Sequence, residues 1–461
     1  MSGGSRPSPT ERRVALLADA ARRAAVYLDG QDARGVTPTP EAVQRLAQLR
    51  RPFPETGAAP EDVLAELDAV GSPATMVTTN GRYFGFVNGG TDPAAHAASV
   101  LAGAWDQNVA LPVMSPIGAA LDEVAASWVV EALHLPDGAV ASFCAGATIA
   151  NLTCVITARD ALLARAGWEV NARGLWGAPR LRVIMGDEVH ISALKALRLA
   201  GFGLDAMERV PTDALGRVRA DAFPTDTDDK TLVILQAGNV NTGYSDPFAE
   251  IVPGVRARGG WVHVDGAFGL WAAASPAKRA LVEGVARADS WAADCHKWLN
   301  TPYDTGVAIA RSRTDLQRAM HMTAAYVESV EERQPMQLGI QMSQKARGVE
   351  TWAMLASHGR AGLAALIDRC CDHAARMASR LAEGGVEILA PVALNQVLVA
   401  FGDDATTDAV IGRVQADGTC WVGGTSWHGR RAMRISVSDT ATTEQDIERC
   451  ARAILACVRH M

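Results

Sequence analysis

From about residue 93 to about residue 360 one pattern recurs: a short apolar run, then an amphipathic stretch long enough for a helix. The runs LRVIM at 181–185, TLVILQ at 231–236, WVHV at 261–264 and VAIA at 307–310 carry little polar alternation. Strands of that make-up have to be buried on both faces. Strands that alternate with helices pair side by side, mostly in parallel, and the helices cover the sheet. The region is therefore predicted to be α/β, built on a mostly parallel sheet.

The flanks break the pattern. Residues 1–92 hold helical segments interrupted by proline joints, TPTP at 37–40 and APE at 59–61, after an amphipathic helix over 11–30 that ends at Gly30. This stretch is too short and too interrupted for a core of its own and is expected to be an arm that packs on something else. Residues 361–461 form a smaller α+β domain. In it a long helix over 361–383 stops at Gly384-Gly385, strands follow over 386–389, 396–401 and 432–437, and a helix over 444–459 ends the chain. The division expected is thus 1–92, 93–360 and 361–461, in keeping with a 461-residue chain that exceeds one ordinary core.

Apolar residues make up 48% and charged residues 21%, which suits a water-soluble enzyme-sized chain with material for a large core. The net charge is −7 and basic clusters such as Arg430-Arg431 are short, which argues against nucleic acid or an anionic membrane as partner. The eight cysteines make no CxxC pair and no zinc spacing, so no metal site is expected and reduced thiols in a cytoplasmic compartment are. The N-terminus lacks the apolar stretch of a secretion signal, and no run reaches the ~18 apolar residues of a membrane span.

Chemistry-bearing residues fall at the ends of the predicted strands. In WAADCHKWL (291–299), Lys297 follows an apolar strand-like segment and sits between His296 and Trp298. A lysine in such surroundings can lose its proton and attack an aldehyde, although a snorkelling lysine at a strand end fits as well. HVDGAFG (263–269) delivers Asp265 to a strand end, with Gly266 and Ala267 allowing a flat group to approach. A carboxylate there can keep a pyridine nitrogen protonated. SFCAGATIAN (142–151) is a small-residue turn leading into a helix over 149–166, whose first amides, near Ala147 and Thr148, suit a phosphate. In DEVHISALKALRLAG (187–201), His190 stands at a strand-to-helix turn, where it can stack on a ring or serve only as a structural residue. AGNVNTGYSDP (237–247) offers Asn239 or Asn241, and MRISV (433–437) offers Arg434, either for a substrate carboxylate or for a salt bridge. Phosphate cup, stacking His, pyridine Asp and a lysine that forms a Schiff base make a coherent set for pyridoxal phosphate (PLP).

The segments around Lys297, Asp265 and His190 resemble the group II pyridoxal-dependent decarboxylases, a family that includes aromatic-amino-acid, histidine, glutamate and tyrosine decarboxylases, and the resemblance runs from about residue 80 onward. It implies the aspartate-aminotransferase-like fold (fold type I), with a seven-stranded sheet, a homodimer and active sites at its interface. It implies that Lys297 carries the cofactor, Asp265 pairs with the pyridine nitrogen, His190 stacks on the ring, and Ala147, Thr148 and His296 hold the phosphate. GRYFGFVNGG (81–90) resembles the segment lining the substrate side chain, so Phe84, Phe86 and Val87, with Trp105 beyond, are candidates for it or for ordinary core. Tyr326, in a stretch (321–347) resembling the mobile loop over the active site, matches the acid that returns a proton to Cα.

The expected activity is decarboxylation of an L-amino acid, an aromatic or bulky one favoured, to an amine and CO2. Another PLP reaction, such as aldehyde-forming decarboxylation, transamination or carbon–carbon cleavage, remains open. A dinucleotide enzyme is disfavoured, because Gly201-Phe202-Gly203 follows a helix rather than a strand.

Overall fold

A computed structural model describes residues 8–322 and 333–459. Seven strands form the large sheet: β1 (Val140–Cys144), β2 (Arg182–Gly186), β3 (Glu208–Val210), β4 (Thr231–Gln236), β5 (Trp261–Asp265), β6 (Ser290–Asp294) and β7 (Gly306–Ala310). Their spatial order is β1-β7-β6-β5-β4-β2-β3. Only β7 runs against its neighbours, β1 and β6; the other pairings are parallel.

The period of two sorts each strand's residues between two cores. Val183, Met185, Leu232 and Ile234 pack with Val155, Ala158 and Leu162 of helix Ala147–Arg165 and Leu197 of helix Ile191–Leu199. Ile184, Val233, Leu235, Val262 and Val264 face the other way, onto Val129, Ile251 and Leu363. Both faces are covered, as the unbroken apolar runs require. Helix Ala147–Arg165 is, among the described residues, long and apolar enough to cross a membrane, but 67% of its most apolar stretch is buried in the protein, which is the mark of a core helix.

The second sheet holds β8 (Glu387–Ile388), β9 (Gln396–Ala400), β10 (Gly423–Trp427) and β11 (Arg430–Ser436) in the order β10-β11-β9-β8, all antiparallel. Its core includes Phe84, Val397, Val399, Met433 and Ile435, closed by Val410 and Ile454 of helices Asp404–Asp417 and Glu444–Arg459.

Three sequence expectations are revised. The helix expected over 149–166 begins two residues earlier, because Gly146, at φ 126°, turns the chain where only glycine does so without strain, and Ala147 and Thr148 enter the first turn. The helix expected from 361 is the second half of Arg347–Glu383, which breaks at Gly359 (φ 59°) and has a helical segment before it. Strand β10, GGTSW, carries no apolar run and was not anticipated; its pairing with β11 places it.

Candidate active site

Strands β2, β4, β5 and β6 are parallel, so their carboxyl ends open on one edge, where ligands of open α/β sheets bind. The register puts Gln236 beside Asp265 and Asp265 beside Ala292. His190, Asp265, Asp294 and, three residues on, Lys297 all stand at this edge.

Asp265 is buried and surrounded by donors. Its Oδ2 accepts from Asn151 Nδ2 at 2.9 Å and from Ser192 Oγ at 3.1 Å, and its Oδ1 accepts from the Ala267 N–H at 3.3 Å. Asn151 is itself oriented. Trp261 Nε1–H can only donate, and it lies 3.0 Å from Ser290 Oγ. Ser290 Oγ is 3.0 Å from His263 Nδ1, and His263 Nε2 is 2.9 Å from Asn151 Oδ1. The Asp265 carboxylate can only accept, so it takes the Asn151 amide hydrogen; the Asn151 oxygen then accepts from His263 Nε2–H, and His263 Nδ1 accepts from the Ser290 hydroxyl. Burial holds His263 below the usual histidine range, consistent with this neutral form. The charge of Asp265 is thus met by fixed donors before any ligand arrives.

His190 caps helix Ile191–Leu199: its Nδ1 accepts from the Ser192 N–H at 3.2 Å and lies 2.7 Å from Ser192 Oγ. One hydroxyl thus links this imidazole to Asp265. The Gln236 side chain accepts from the His190 N–H at 2.9 Å, which ties the turn to the end of β4. Burial pushes the His190 pKa down, Asp265 opposes that, and Lys297 and Arg434 add to it.

Beside it lies a second cluster, made of a helix start, a histidine and a lysine. The Ala147 N–H at the start of a 19-residue helix points at Asp294 Oδ1, 2.6 Å away. His296 Nδ1 accepts from the Thr305 N–H at 3.1 Å, which leaves Nε2–H as the donor facing the cup, and its ring lies 4.4 Å from that of Tyr303. Burial lowers its pKa as well. Lys297 Nζ reaches Asp294 Oδ2 at 2.8 Å. A Cβ on Gly146 would come within 3.0 Å of His296 Cε1, so the cup needs a glycine there. Donors converging on a helix N-terminus beside a lysine and a satisfied carboxylate fit PLP: phosphate at the helix, pyridine nitrogen at Asp265, aldehyde at Lys297.

Residues 41–402 match the family model "Pyridoxal-dependent decarboxylase conserved domain". The chain belongs to this family. An aromatic-L-amino-acid decarboxylase of Bacillus atrophaeus is 26% identical over 381 residues, covering 79% of this chain and 76% of the relative. An L-2,4-diaminobutyrate decarboxylase of Rhizobium meliloti (strain 1021) is 26% identical over 363 residues, covering 76% and 71%. The solved structure of Oryza sativa TDC with PLP and tryptamine superposes with a TM-score of 0.91 at 21% identity, over 99% of this chain and 100% of that one, a likeness that bears on the fold. This decarboxylase is accordingly a fold-type-I, PLP-dependent carboxy-lyase acting on an amino acid.

The structure brings Lys297, Asp265, His190, His296, Ala147 and Ala267 to one edge. Ala267 also links strands, since its carbonyl accepts from the Asp294 N–H at 2.8 Å. Thr148 lies in the first turn of helix Ala147–Arg165. Asn239 is buried, and its Oδ1 accepts from the Asn241 N–H at 2.9 Å, so that oxygen is committed to its own turn. Arg434 lies on β11 with no ion-pair or hydrogen-bond partner among the described residues, and burial lowers its pKa. The segment 81–90 is split. Phe84 sits in the core of the small sheet and Val87 in that of the large one, whereas Phe86 is 61% exposed and stacks on Trp421 at 5.4 Å. Trp105 ends helix Pro93–Trp105, 40% exposed. Tyr326 lies outside the described residues. Cys295, beside the lysine, is fully buried and burial pushes its thiol up, which is a structural cysteine's environment. Sequence reasoning missed Asn151, Ser192, His263 and Asp294. Of these only Asp294 carried a usable signal, a carboxylate three residues before the lysine.

Proposed function

We propose that this enzyme decarboxylates an aromatic or other bulky L-amino acid to its amine and CO2, with PLP carried on Lys297. The observation that carries the reading is the meeting of Lys297, Asp265 and His190 at one sheet edge in a chain of this family. When bound, PLP supplies an electron sink for the pair left at Cα as CO2 departs. Asp265, held by Asn151 and Ser192, keeps a proton on the pyridine nitrogen. His190 covers one face of the ring. The Ala147 and Thr148 amides and His296 Nε2–H bind the phosphate. Arg434, whose side chain has no ion-pair or hydrogen-bond partner among the described residues, pairs with the substrate carboxylate, and Tyr326 returns the proton to Cα.

The preference for a bulky side chain draws on the exposed Phe86–Trp421 stack and on the names of relatives that act on aromatic amino acids, against others that act on diaminobutyrate. A homodimer is supported by helix Pro9–Asp29, which buries no residue within its own chain and needs another surface for its apolar side; the three-part division at 92/93 and 360/361 belongs to the same proposal. Eight unpaired cysteines support a reducing, cytoplasmic setting.

The test is to incubate the PLP-loaded protein with a panel of amino acids and identify products by mass spectrometry. An amine formed by the wild type and absent with Lys297→Ala supports the reading and names the substrate. An aldehyde or a keto acid instead, from a protein that binds the cofactor, refutes the proposed reaction.

A further inference from the structure

The donors assembled for the phosphate are already engaged, by a carboxylate of the chain itself. Asp294 ends β6 with its backbone pinned on both sides: its N–H donates to the Ala267 carbonyl at 2.8 Å, and its carbonyl accepts from Trp271 Nε1 at 3.0 Å. The side chain is 3% exposed and turns into the cup. Oδ1 takes the Ala147 N–H at 2.6 Å and lies 3.7 Å from His296 Nε2, while Oδ2 takes Lys297 Nζ at 2.8 Å. On the cup's far wall, a Cβ built on Gly146 would lie 3.4 Å from the same Oδ1.

A helix N-terminus, a histidine N–H and a lysine are what a phosphate monoester needs. Here they converge on an anion tethered to the chain, on a strand whose backbone is held inside the sheet. A bound phosphate and the carboxylate cannot both keep the Ala147 N–H, and two anions at such distances, away from water, repel strongly.

Resting on the cofactor reading above, we propose that Asp294 is a built-in competitor for the phosphate site. In the cofactor-free protein it closes the cup, satisfies the helix start and pairs with Lys297. Capture of PLP exchanges this carboxylate for the phosphate, so Asp294 sets how tightly the enzyme holds its cofactor. It is a positioning residue for Lys297 and a brake on phosphate binding.

The experiment strips the full-length protein of cofactor and titrates it calorimetrically with inorganic phosphate, and separately with PLP followed by its absorbance. Wild type, Asp294→Asn and Asp294→Ala are compared. Both variants should bind inorganic phosphate about tenfold or more tightly than wild type, the scale expected when an unscreened neighbouring anion is removed. The cofactor-free variants should also unfold at lower temperature, because the Ala147 amide and Lys297 lose their partner. Unchanged or weaker phosphate binding in both variants overturns the proposal. A gain with Asn but not Ala overturns it too, because the gain then comes from a new donor rather than a lost charge. Should wild type take up no PLP at all, the cofactor reading falls, and the phosphate titration still decides the role of Asp294.

Discussion

Asn151→Asp tests whether residue 151 lies directly against the Asp265 carboxylate, where the wild-type amide donates. The substitution keeps the oxygen that accepts from His263 and replaces one donor by an acceptor, 2.9 Å from Asp265 Oδ2. Two carboxylates at that distance repel by about 6 kcal/mol at an effective dielectric constant of ~20. The protein can escape by binding one proton between them. Relative to an unfolded carboxyl near ~3.9, that escape costs about 6 kcal/mol at pH 8 and about 3 kcal/mol at pH 6. The pair's folded affinity for a proton is raised, so the native state binds more protons than the unfolded chain, and stability falls as pH rises. The loss relative to wild type should therefore be about 3 kcal/mol at pH 6 and grow toward about 6 kcal/mol at pH 8, read from urea unfolding of the cofactor-free proteins. Asn151→Ala removes both bonds, to Asp265 and to His263, without adding an acid and should cost about 2–4 kcal/mol equally at both pH values. Equal losses for Asn151→Asp at pH 6 and pH 8 would refute the close contact between residue 151 and Asp265, and with it the donor set that holds Asp265.

Other outcomes follow from single contacts. A Cβ on Gly89 would overlap the Lys297 carbonyl oxygen, so Gly89→Ala should displace the lysine and abolish cofactor absorbance in whatever protein remains folded; normal absorbance would refute the packing. Arg434→Met should raise KM by about tenfold or more while kcat changes less, since it removes a guanidinium proposed to act on the substrate carboxylate; an unchanged KM would return Arg434 to a structural role. Burial pushes the Asp439 carboxyl up to about 6, though the Gly81 and Ala441 amides donate to it. A raised carboxyl binds its proton preferentially in the native state, so its contribution declines as pH rises from ~4 to ~6, by about 3 kcal/mol in all. Asp439→Asn should flatten that slope in urea unfolding, and an unaltered slope would show that another group causes it.

The large sheet was legible because burial on both faces leaves apolar runs that nothing else explains: TLVILQ coincides with β4, and WVHV falls within β5. Lys297, Asp265 and His190 were legible because each is a polar residue at the end of such a run. Strand β10 was not, since its glycines take their extended form from pairing with β11, a non-local contact. The helix before Gly359 was missed because its residues are buried nearly all round, from Arg347 to Leu355, and give no amphipathic stripe. Asn151, Ser192 and His263 were hidden for a related reason. Each lies inside or beside a regular element, where such a residue ordinarily satisfies itself locally or faces water. Their meeting depends on helix Ala147–Arg165 crossing β5 and on helix Ile191–Leu199 starting beside it, which no local pattern encodes.

The two buried carboxylates of the site differ in what their donors are for. Asp265 accepts from Asn151, Ser192 and Ala267, residues with no evident use for a phosphate, and the contacts running from Trp261 through Ser290 and His263 orient Asn151 before a cofactor arrives. Asp294 accepts from Ala147 and Lys297, the groups proposed above to hold the cofactor. The pyridine end is thus preorganised, so binding there costs little rearrangement, whereas the phosphate end has to break an ion pair and a helix-start hydrogen bond first. A site finished at one end and occupied by its own chain at the other should take up the ring readily and let go of the phosphate readily. Substitutions at Asn151 should therefore move the properties of the bound ring, and substitutions at Asp294 should move cofactor retention, with little crossover between them.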